Sequence, residues 1–206
     1  MGPEMERKPR QRIGLFGGSF DPVHNGHLAL ARRALERWAL DAVWFIPAAD
    51  SPFKSGRMQA PGDVRLGWLR TATAGEPRFA VRTEDLDRGG VSTSCELVET
   101  LRGKHPDADF FFLVGADSLA SLHRWHRAEE LVALCRFVSF GRRGTEIDPA
   151  TLGFDEATNA RLAADFDPGF DLPVSSSDIR GRLERHESIQ GLVPDDLRSA
   201  IESFYA

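Results

Sequence analysis

The sequence predicts an α/β fold: a Rossmann-like doubly wound parallel sheet with helices on both faces and a small helical part at the C-terminal end. Short apolar runs alternate with helical patterns along the 206 residues, as they do in repeated strand–helix units. Two of the runs, residues 43–46 and 110–114, are apolar at every position. This is typical of parallel strands that helices cover on each side.

Five strands are predicted from these runs, at residues 12–16, 42–47, 79–82, 110–115 and 137–140. The apolar residues of the first helix recur at the spacing of one helix face: Leu28, Ala31, Leu35 and Trp38. Residues 143–171 have a weaker pattern and are interpreted as an insertion with one short helix. A last helix is predicted from Pro194 to about Phe204.

The length favours one main domain. Residues 1–11 are polar and basic and contain two prolines, so we expect a flexible tail. Residues 12–176 are assigned to the α/β domain, and residues 177–206 to a C-terminal helical subregion of the same domain.

Composition narrows the class of protein. The net charge of −5 argues against a general nucleic-acid binder, which usually carries a basic face. Cys95 and Cys135 lie far apart in the sequence and predict neither a disulfide framework nor a zinc site, so we expect a cytoplasmic protein. No run approaches the roughly 20 apolar residues of a membrane-spanning helix. The sequence allows, but does not predict, that the chain forms a homo-oligomer.

The most informative stretch is residues 17–27, with the sequence GGSFDPVHNGH, between a predicted strand and a helix. Its paired glycines allow a sharp turn and a close approach of the backbone to a ligand. If the helix begins near Asn25, His24 and His27 lie on the same side of its first turn. Unpaired N–H groups there attract anions, so the stretch predicts a phosphate site. The alternative is a glycine-rich turn with incidental histidines.

Loops after other strands also carry candidate residues. Lys54 ends a proline-bounded loop, where it either reaches a phosphate or lies in solvent, as most lysines do. The hydroxyl cluster of Ser92, Thr93 and Ser94 either contacts a polar second substrate or caps the next helix. Asp117 follows the fourth strand, where a carboxylate either holds a nucleotide ribose or caps a helix.

Two further positions allow alternative interpretations. Trp125 is an aromatic residue in a polar segment, so it either stacks on a heterocycle or anchors the core. His123 and His126 beside it have no third ligand residue, and no metal site is predicted. Arg180 lies in the first turn of a helix that follows three serines, where its charge opposes the helix dipole. Either it faces an anionic ligand, or it is an exposed residue after an ordinary N-cap.

The motif H-x-G-H at residues 24–27, within the longer string G-G-S-F-D-P-x-H-x-G-H, resembles that of the nucleotidyltransferase superfamily, whose members transfer a nucleoside monophosphate from a triphosphate. With the segments at 92–94, 115–119 and 175–180, the chain resembles the family of bacterial nicotinate mononucleotide adenylyltransferases over nearly its whole length. The resemblance implies that residues 12–176 bind nucleotides and that the substrates are ATP and nicotinate mononucleotide.

The resemblance also implies roles for individual residues. The implied catalytic residues are His24, His27, Lys54 and Arg180. The implied ATP-binding residues are Gly17, Gly18, Ser19, Phe20, His24, His27, Gly115, Asp117, Arg142, Ser176, Ser177, Ile179 and Arg180, with Asp117 at the ribose. The implied mononucleotide-binding residues are Ser92, Thr93, Ser94 and Trp125, with Trp125 on the pyridine ring.

Three positions depart from the family pattern. Phe53 stands where the family has histidine in Pro-Pro-His-Lys, Thr93 where it has the tyrosine of Ser-Tyr-Thr, and Arg143 where it has the proline of Arg-Pro-Gly. The first two departures concern contacts to the mononucleotide. They leave the expected ATP side intact.

The expected reaction is a direct in-line attack of a mononucleotide phosphate oxygen on the α-phosphorus of ATP, with Mg²⁺ bridging ATP oxygens. His27 is the residue expected to stabilise the transition state. One alternative is a related transferase that acts on phosphopantetheine or glycerol phosphate, and another is a non-catalytic nucleotide sensor. The absence of G-x-G-x-x-G and of a P-loop motif disfavours a redox enzyme and a P-loop kinase.

Overall fold

The computed structural model describes residues 9–49, 60–88, 93–141, 144–170 and 174–205. The strands in these ranges are β1 Gln11–Gly18, β2 Ala42–Pro47, β3 Phe79–Val81, β4 Ala108–Gly115, β5 Arg136–Phe140 and β6 Phe166–Asp167. They form one sheet in the order β3-β2-β1-β4-β5-β6, and every neighbouring pair is parallel. The predicted doubly wound α/β fold is therefore confirmed.

At least one α-helix separates each strand from the next strand along the chain. The α-helices in the described ranges are α1 Asn25–Arg37, α2 Gly62–Thr73, α3 Glu84–Arg88, α4 Ser94–Lys104, α5 Ala116–Ala120, α6 Ala128–Leu134, α7 Glu156–Ala164, α8 Ser176–Glu184 and α9 Asp195–Tyr205. Two short 3-10 helices lie at Leu122–Arg124 and Pro149–Thr151. No helix among the described residues is both long enough and apolar enough to span a bilayer.

The core is divided into two apolar clusters, one on each face of the sheet. Residues of α1, α2, α8 and α9 pack on one face, and residues of α4, α5, α6 and α7 pack on the other. Strand β4 contributes to both: Phe111 and Leu113 belong to the first cluster, and Phe110, Phe112 and Val114 to the second. Successive side chains of a strand point to opposite faces, so a run that is apolar throughout satisfies both layers.

The structure extends the predicted elements at two places. Strand β1 begins at Gln11, which the sequence places in the flexible tail, because Gln11 pairs with Ala108 of β4.

The insertion at 143–171 contains the predicted short helix, α7, but also strand β6, which the sequence prediction missed. Strand β6 has only two residues, and one of them is the buried Asp167, whose carboxylate accepts a 2.7 Å hydrogen bond from Arg33. A strand this short has no period to detect.

The strand order places a crevice in the middle of the sheet. From β1 the chain proceeds outward through β2 to β3, and it then returns to β4 and proceeds the other way to β6. Strands β1 and β4 are therefore neighbours whose connections leave in opposite directions. In open α/β sheets, ligands bind outside the carboxyl ends of strands at such a switch point. Residues 17–27 and Gly115 follow those two strand ends.

A substitution at Gly141, directly after β5, tests how tightly the insertion packs on the sheet. In the alanine variant, Cβ would overlap the ring of Phe166 in β6 and lie 2.9 Å from Thr145 Cβ. We expect Gly141→Ala to lower the free energy of unfolding by about 1–3 kcal/mol because of this overpacking. Urea unfolding measures the change.

The matched control is Gly67→Ala in α2, where Cβ would meet no described atom within 4 Å. This variant gains helix propensity and is expected to be about as stable as the wild type or up to ~1 kcal/mol more stable. Equal stability of the two variants would contradict the packing described for β6.

Candidate active site

A cavity of about 410 Å³ lies at the switch point of the sheet. Its lining residues come from the N-terminal half of α1, the β4–α5 junction, the end of β5 and the insertion: His24, Gly26, His27, Leu30, Gly115, Ala116, Asp117, Phe140, Gly141, Thr145, Phe170 and Val174. The polar side chains in the lining include the two histidines and Asp117, and the apolar ones include Leu30, Phe140 and Phe170. Such a cavity suits a ligand with a charged group and a flat apolar group.

His24 and His27 cap helix α1 reciprocally. His24 is the N-cap residue, and its Nδ1 accepts a hydrogen bond from the backbone N–H of His27 at 3.3 Å. The Nδ1 of His27 accepts one from the backbone N–H of His24 at 3.1 Å. This is the geometry of a capping box, with two imidazoles in place of the usual hydroxyl and carboxylate. It also stacks the two rings, with 3.6 Å between their centroids.

The capping bonds fix the tautomer of both rings. Because each Nδ1 accepts a backbone N–H, the hydrogen-bond pattern assigns the ring proton to Nε2. The remaining polar group of each ring is then an Nε2–H donor, next to the partial positive charge of the helix N-terminus. Together these donors form a candidate anion site at the edge of the cavity.

Both imidazoles are neutral near pH 7. Burial lowers the pKa of His24 to about 4, and the nearby carboxylate of Asp178 opposes this effect only in part. Burial, followed by the proximity of His24, lowers the pKa of His27 well below its usual value. The rings of Phe16 and Phe20 contribute to the apolar surroundings of His27, with centroids 5.7 Å and 4.9 Å from that of its imidazole.

The signature turn, residues 17–21, joins β1 to this site. Phe20 has a φ of 50° and a buried side chain whose ring packs edge-on against the imidazole of His27. Only its backbone can therefore contact a ligand. Gly17 is exposed, and Gly18 and Ser19 are half-buried. The structure thus places these four predicted ATP-binding residues beside the helix N-terminus.

Arg65 of α2 is a buried residue that sequence reasoning missed. Its Nη1 donates hydrogen bonds to the backbone carbonyls of Ser19 and Ala48, at 2.8 Å and 2.9 Å, and its Nε donates to the carbonyl of Ala60 at 2.8 Å. It therefore joins the signature turn to the end of β2 and the start of α2. In the sequence it is one arginine among many, and nothing local distinguishes it.

Helix α8 brings the second predicted anion-binding segment to the signature turn. Ser175 caps the helix, and the hydroxyl of Ser176 donates a 2.9 Å hydrogen bond to the carbonyl of Pro22. Arg180 donates to the carbonyl of Asp21, and its Nη2 lies 3.3 Å from the hydroxyl of Ser177. Serines and arginine are thus held against the chain directly before His24.

The neighbouring Ile179 is completely buried in the core. Its side chain anchors α8, and a contact with ATP would have to come from its backbone. Gly115 and Asp117 are exposed at the β4–α5 junction, and both line the same cavity as the histidines.

Of the residues predicted at the mononucleotide, the three that the structure describes, Thr93, Ser94 and Trp125, are not among those that line this cavity. Thr93 is the N-cap of α4, and its hydroxyl accepts the N–H of Glu96 at 3.3 Å while the Glu96 carboxylate accepts the N–H of Thr93 at 3.1 Å. Ser94 begins the helix. Trp125 is half-buried, with its ring edge-on to Phe112 and Phe137. It anchors the second core cluster while keeping an accessible part.

Several predicted positions lie outside the described residues: Lys54, Ser92 and Arg142, together with the departures Phe53 and Arg143. Their roles stay predictions.

Sequence reasoning also missed much of the cavity lining. Gly26, inside H-x-G-H, has the clearest signal: a Cβ there would lie 2.8 Å from Val174 Cγ1 and 2.9 Å from His24 Nδ1. The apolar lining residues Leu30, Phe140 and Phe170 could not be predicted from the sequence, because apolar residues near the ends of core helices and strands are common and do not indicate a cavity.

This fold and this site define a nucleotide-binding α/β protein with an anion site at the N-terminus of its first helix. A family model described as cytidylyltransferase-like matches residues 15–182. The chain belongs to this family, among its nicotinate-nucleotide adenylyltransferases, since curated relatives that bear this name are more than a third identical over most of their length. The resemblance predicted from the sequence is confirmed.

Two relatives illustrate the similarity. The "Probable nicotinate-nucleotide adenylyltransferase" of Mycolicibacterium vanbaalenii is 39% identical over 189 residues, which are 90% of this chain and 87% of that one. The protein of the same name from Geobacillus thermodenitrificans is 37% identical over 191 residues, 93% of this chain and 83% of that one.

Among solved structures, the nicotinic acid mononucleotide adenylyltransferase of Plasmodium falciparum complexed with NaAD superposes with a TM-score of 0.71. It is 19% identical, and the match covers 94% of this chain and 96% of that chain. At this identity the likeness concerns the fold.

The lowered pKa values of the histidines predict a pH dependence of stability. In the unfolded chain His24 binds a proton near pH 6.5, whereas in the folded protein it stays neutral down to about pH 4. Acid therefore favours the unfolded state across this window, and full stability is present above it. Between pH 7 and pH 5, we expect His24 alone to reduce the free energy of unfolding by about 2 kcal/mol.

Urea unfolding of the wild type and of His24→Asn/His27→Asn at both pH values measures this effect; asparagine preserves an N-cap. The double variant is expected to lose the histidine part of the pH dependence. The exposed His186→Asn serves as the control and is expected to keep it. A double variant with the same pH dependence as the wild type would contradict neutral buried histidines.

Proposed function

We propose that this protein transfers the adenylyl group of ATP to nicotinate mononucleotide, giving nicotinate adenine dinucleotide and pyrophosphate in NAD biosynthesis. The observation that carries the proposal is the pair of stacked, neutral histidines at the N-terminus of α1, beside a cavity at the switch point of the sheet. Family membership supports both the chemistry and the pyridine nucleotide acceptor.

The reaction needs no protein nucleophile. An oxygen of the mononucleotide phosphate forms a bond to the α-phosphorus of ATP, and the bond from that phosphorus to the oxygen bridging to the β-phosphate breaks, so pyrophosphate leaves with the electron pair. The protein holds the two phosphates in line and stabilises the charge that develops. Nε2–H donors of His24 and His27 suit this task, because they are already oriented by the capping bonds and require no rearrangement.

The rest of ATP is assigned to neighbouring groups. Ser176, Ser177 and Arg180 extend the anion site from α8, and Lys54 is proposed to add a second positive charge. Asp117, which lines the same cavity from the β4–α5 junction, is proposed to accept hydrogen bonds from the ribose hydroxyls.

Mg²⁺ is proposed to arrive as part of the ATP substrate, bound to phosphate oxygens and water. The described residues contain no group of three or more His, Cys, Asp or Glu side chains that would hold a metal by themselves. This donor set fits an ion carried by the nucleotide, since Mg²⁺ commonly binds through substrate phosphates and retains several waters.

The acceptor is proposed to lie toward Trp125 and the segment 92–94. Because the hydroxyl of Thr93 already caps α4, its backbone is the better candidate for contact with the mononucleotide. The exposed part of Trp125 is proposed to stack on the pyridine ring. A cytoplasmic location stays a prediction.

The substitution His27→Asn tests the proposed transition-state role. It removes the Nε2–H donor, and we expect kcat for pyrophosphate release from ATP, Mg²⁺ and nicotinate mononucleotide to fall by about 10²–10³, the usual effect of losing one such donor. His186→Asn is the matched control: its residue is exposed, and asparagine tolerates the φ of 56° at this position.

A folded His27→Asn protein with near-normal turnover would overturn this role. Supplying nicotinamide mononucleotide separately compares the two acceptors. No pyrophosphate release with either, but release with phosphopantetheine or glycerol phosphate, would assign the protein to another branch of the family.

The substitution Trp125→Leu tests the proposed stacking. It removes the aromatic surface, and we expect the KM for the mononucleotide to rise about 5-fold or more, because stacking on an aromatic ring contributes roughly 1–3 kcal/mol. The KM for ATP is expected to stay within about twofold, and Trp125→Phe is expected to retain most of the affinity. Steady-state kinetics with each substrate varied in turn measures both. If Trp125→Leu lowers thermal stability but leaves the mononucleotide KM unchanged, Trp125 is a core anchor only.

A further inference from the structure

Tyr205, in the last turn of α9, contacts the signature turn from 184 residues away in sequence. Its hydroxyl donates a hydrogen bond to Oδ1 of Asp21, whose side chain is 1% exposed. The backbone N–H of Ala60 donates to the same oxygen at 2.9 Å. Two donors therefore hold one oxygen of a buried carboxylate.

The second oxygen of Asp21 lies near the guanidinium of Arg180. Oδ2 is buried and accepts no hydrogen bond from the described residues, but the guanidinium of Arg180 lies 3.6 Å from it. Arg180 also donates to the backbone carbonyl of Asp21, and its side chain is 17% exposed. The guanidinium therefore contacts Asp21 through both its carboxylate and its backbone carbonyl.

We infer that Tyr205 is a positioning residue for the triphosphate, which acts through Asp21 on Arg180. By donating to Oδ1, the phenol hydroxyl fixes the orientation of the Asp21 carboxylate. Oδ2 then stays 3.6 Å from the Arg180 guanidinium, too far for a hydrogen bond, so the guanidinium can still contact a phosphate. Without this donor, the carboxylate is short of one hydrogen bond and draws Arg180 toward itself. The inference rests on the proposed function only in taking ATP as the ligand of Arg180.

The hydroxyl can be separated from the packing of the tyrosine ring. The ring lies 6.0 Å from that of Trp68, and the neighbouring Phe204 also packs on Trp68, at 5.4 Å. Tyr205→Phe removes only the hydroxyl and keeps the ring. Phe204→Leu disturbs the same helix contact and keeps the hydroxyl, so it is the matched control for a purely structural effect.

Calorimetric titration with ATP and Mg²⁺ is the first test. We expect Tyr205→Phe to raise the Kd for ATP about 3- to 10-fold, within the range of the net contribution of one typical hydrogen bond, and to leave the Kd for nicotinate mononucleotide unchanged. Phe204→Leu is expected to lower thermal stability without this selective loss. An unchanged ATP Kd in Tyr205→Phe, or an equal loss in both variants, overturns the inference.

A spectroscopic test uses the fact that Tyr205 is the only tyrosine of the chain. Burial and the bond to Asp21 raise the pKa of its phenol well above 10, although Arg180 and Arg65 oppose this. Ultraviolet absorbance should therefore detect little tyrosinate in the folded protein at pH 10.5, and much more in urea. Ionisation of the folded protein near pH 10 overturns the contact.

These measurements are independent of turnover. If the wild type binds ATP but does not release pyrophosphate with a pyridine mononucleotide, the proposed function fails and the role of Tyr205 is still decided by the two Kd values. If turnover is normal and the ATP Kd of Tyr205→Phe is unchanged, only the positioning role fails.

Discussion

The reciprocal hydrogen bonds between His24 and His27 are the interaction on which the site depends. They determine where α1 begins, they occupy both Nδ1 atoms, and they stack the two imidazoles against an apolar wall. One local motif thereby sets the helix start, the tautomers and the charge of the anion site. If either bond were lost, the imidazole that accepts it would be free to rotate.

The site is also joined to parts of the chain that are distant in sequence. Arg65 connects the signature turn to β2 and α2, and Asp21 connects it to α8 and α9. The side chain of Asn25 donates to the carbonyls of Gly191 and Val193, so the segment before α9 is held at the start of α1. The C-terminal helices are therefore joined by hydrogen bonds to the signature turn and to the start of α1.

Local patterns made most of the fold and the centre of the site predictable. The period of the strands and of α1, and the spacing of His24 and His27, depend on residues within one or two turns of each other. Arg65 and Tyr205 were missed because their partners lie 5 to 46 and 184 residues away, and no periodicity marks them. For Thr93 the sequence allowed either a contact with substrate or an N-cap. The hydrogen bond between its hydroxyl and the N–H of Glu96 shows that the hydroxyl caps α4.

Neutral histidines also divide the proposed recognition of phosphate into two physically different parts. Since His24 and His27 carry no charge near neutral pH, the bonds they donate are weakened little by dissolved ions, whereas attraction to the Arg180 cation is screened over about 10 Å at 0.1 M salt. A phosphate monoester loses its second proton near pH 6, so in mildly acidic solution the acceptor, and not the histidine pair, changes its charge. Ionic strength thus changes the attraction of the phosphate to Arg180, whereas mildly acidic pH changes the charge of the phosphate itself.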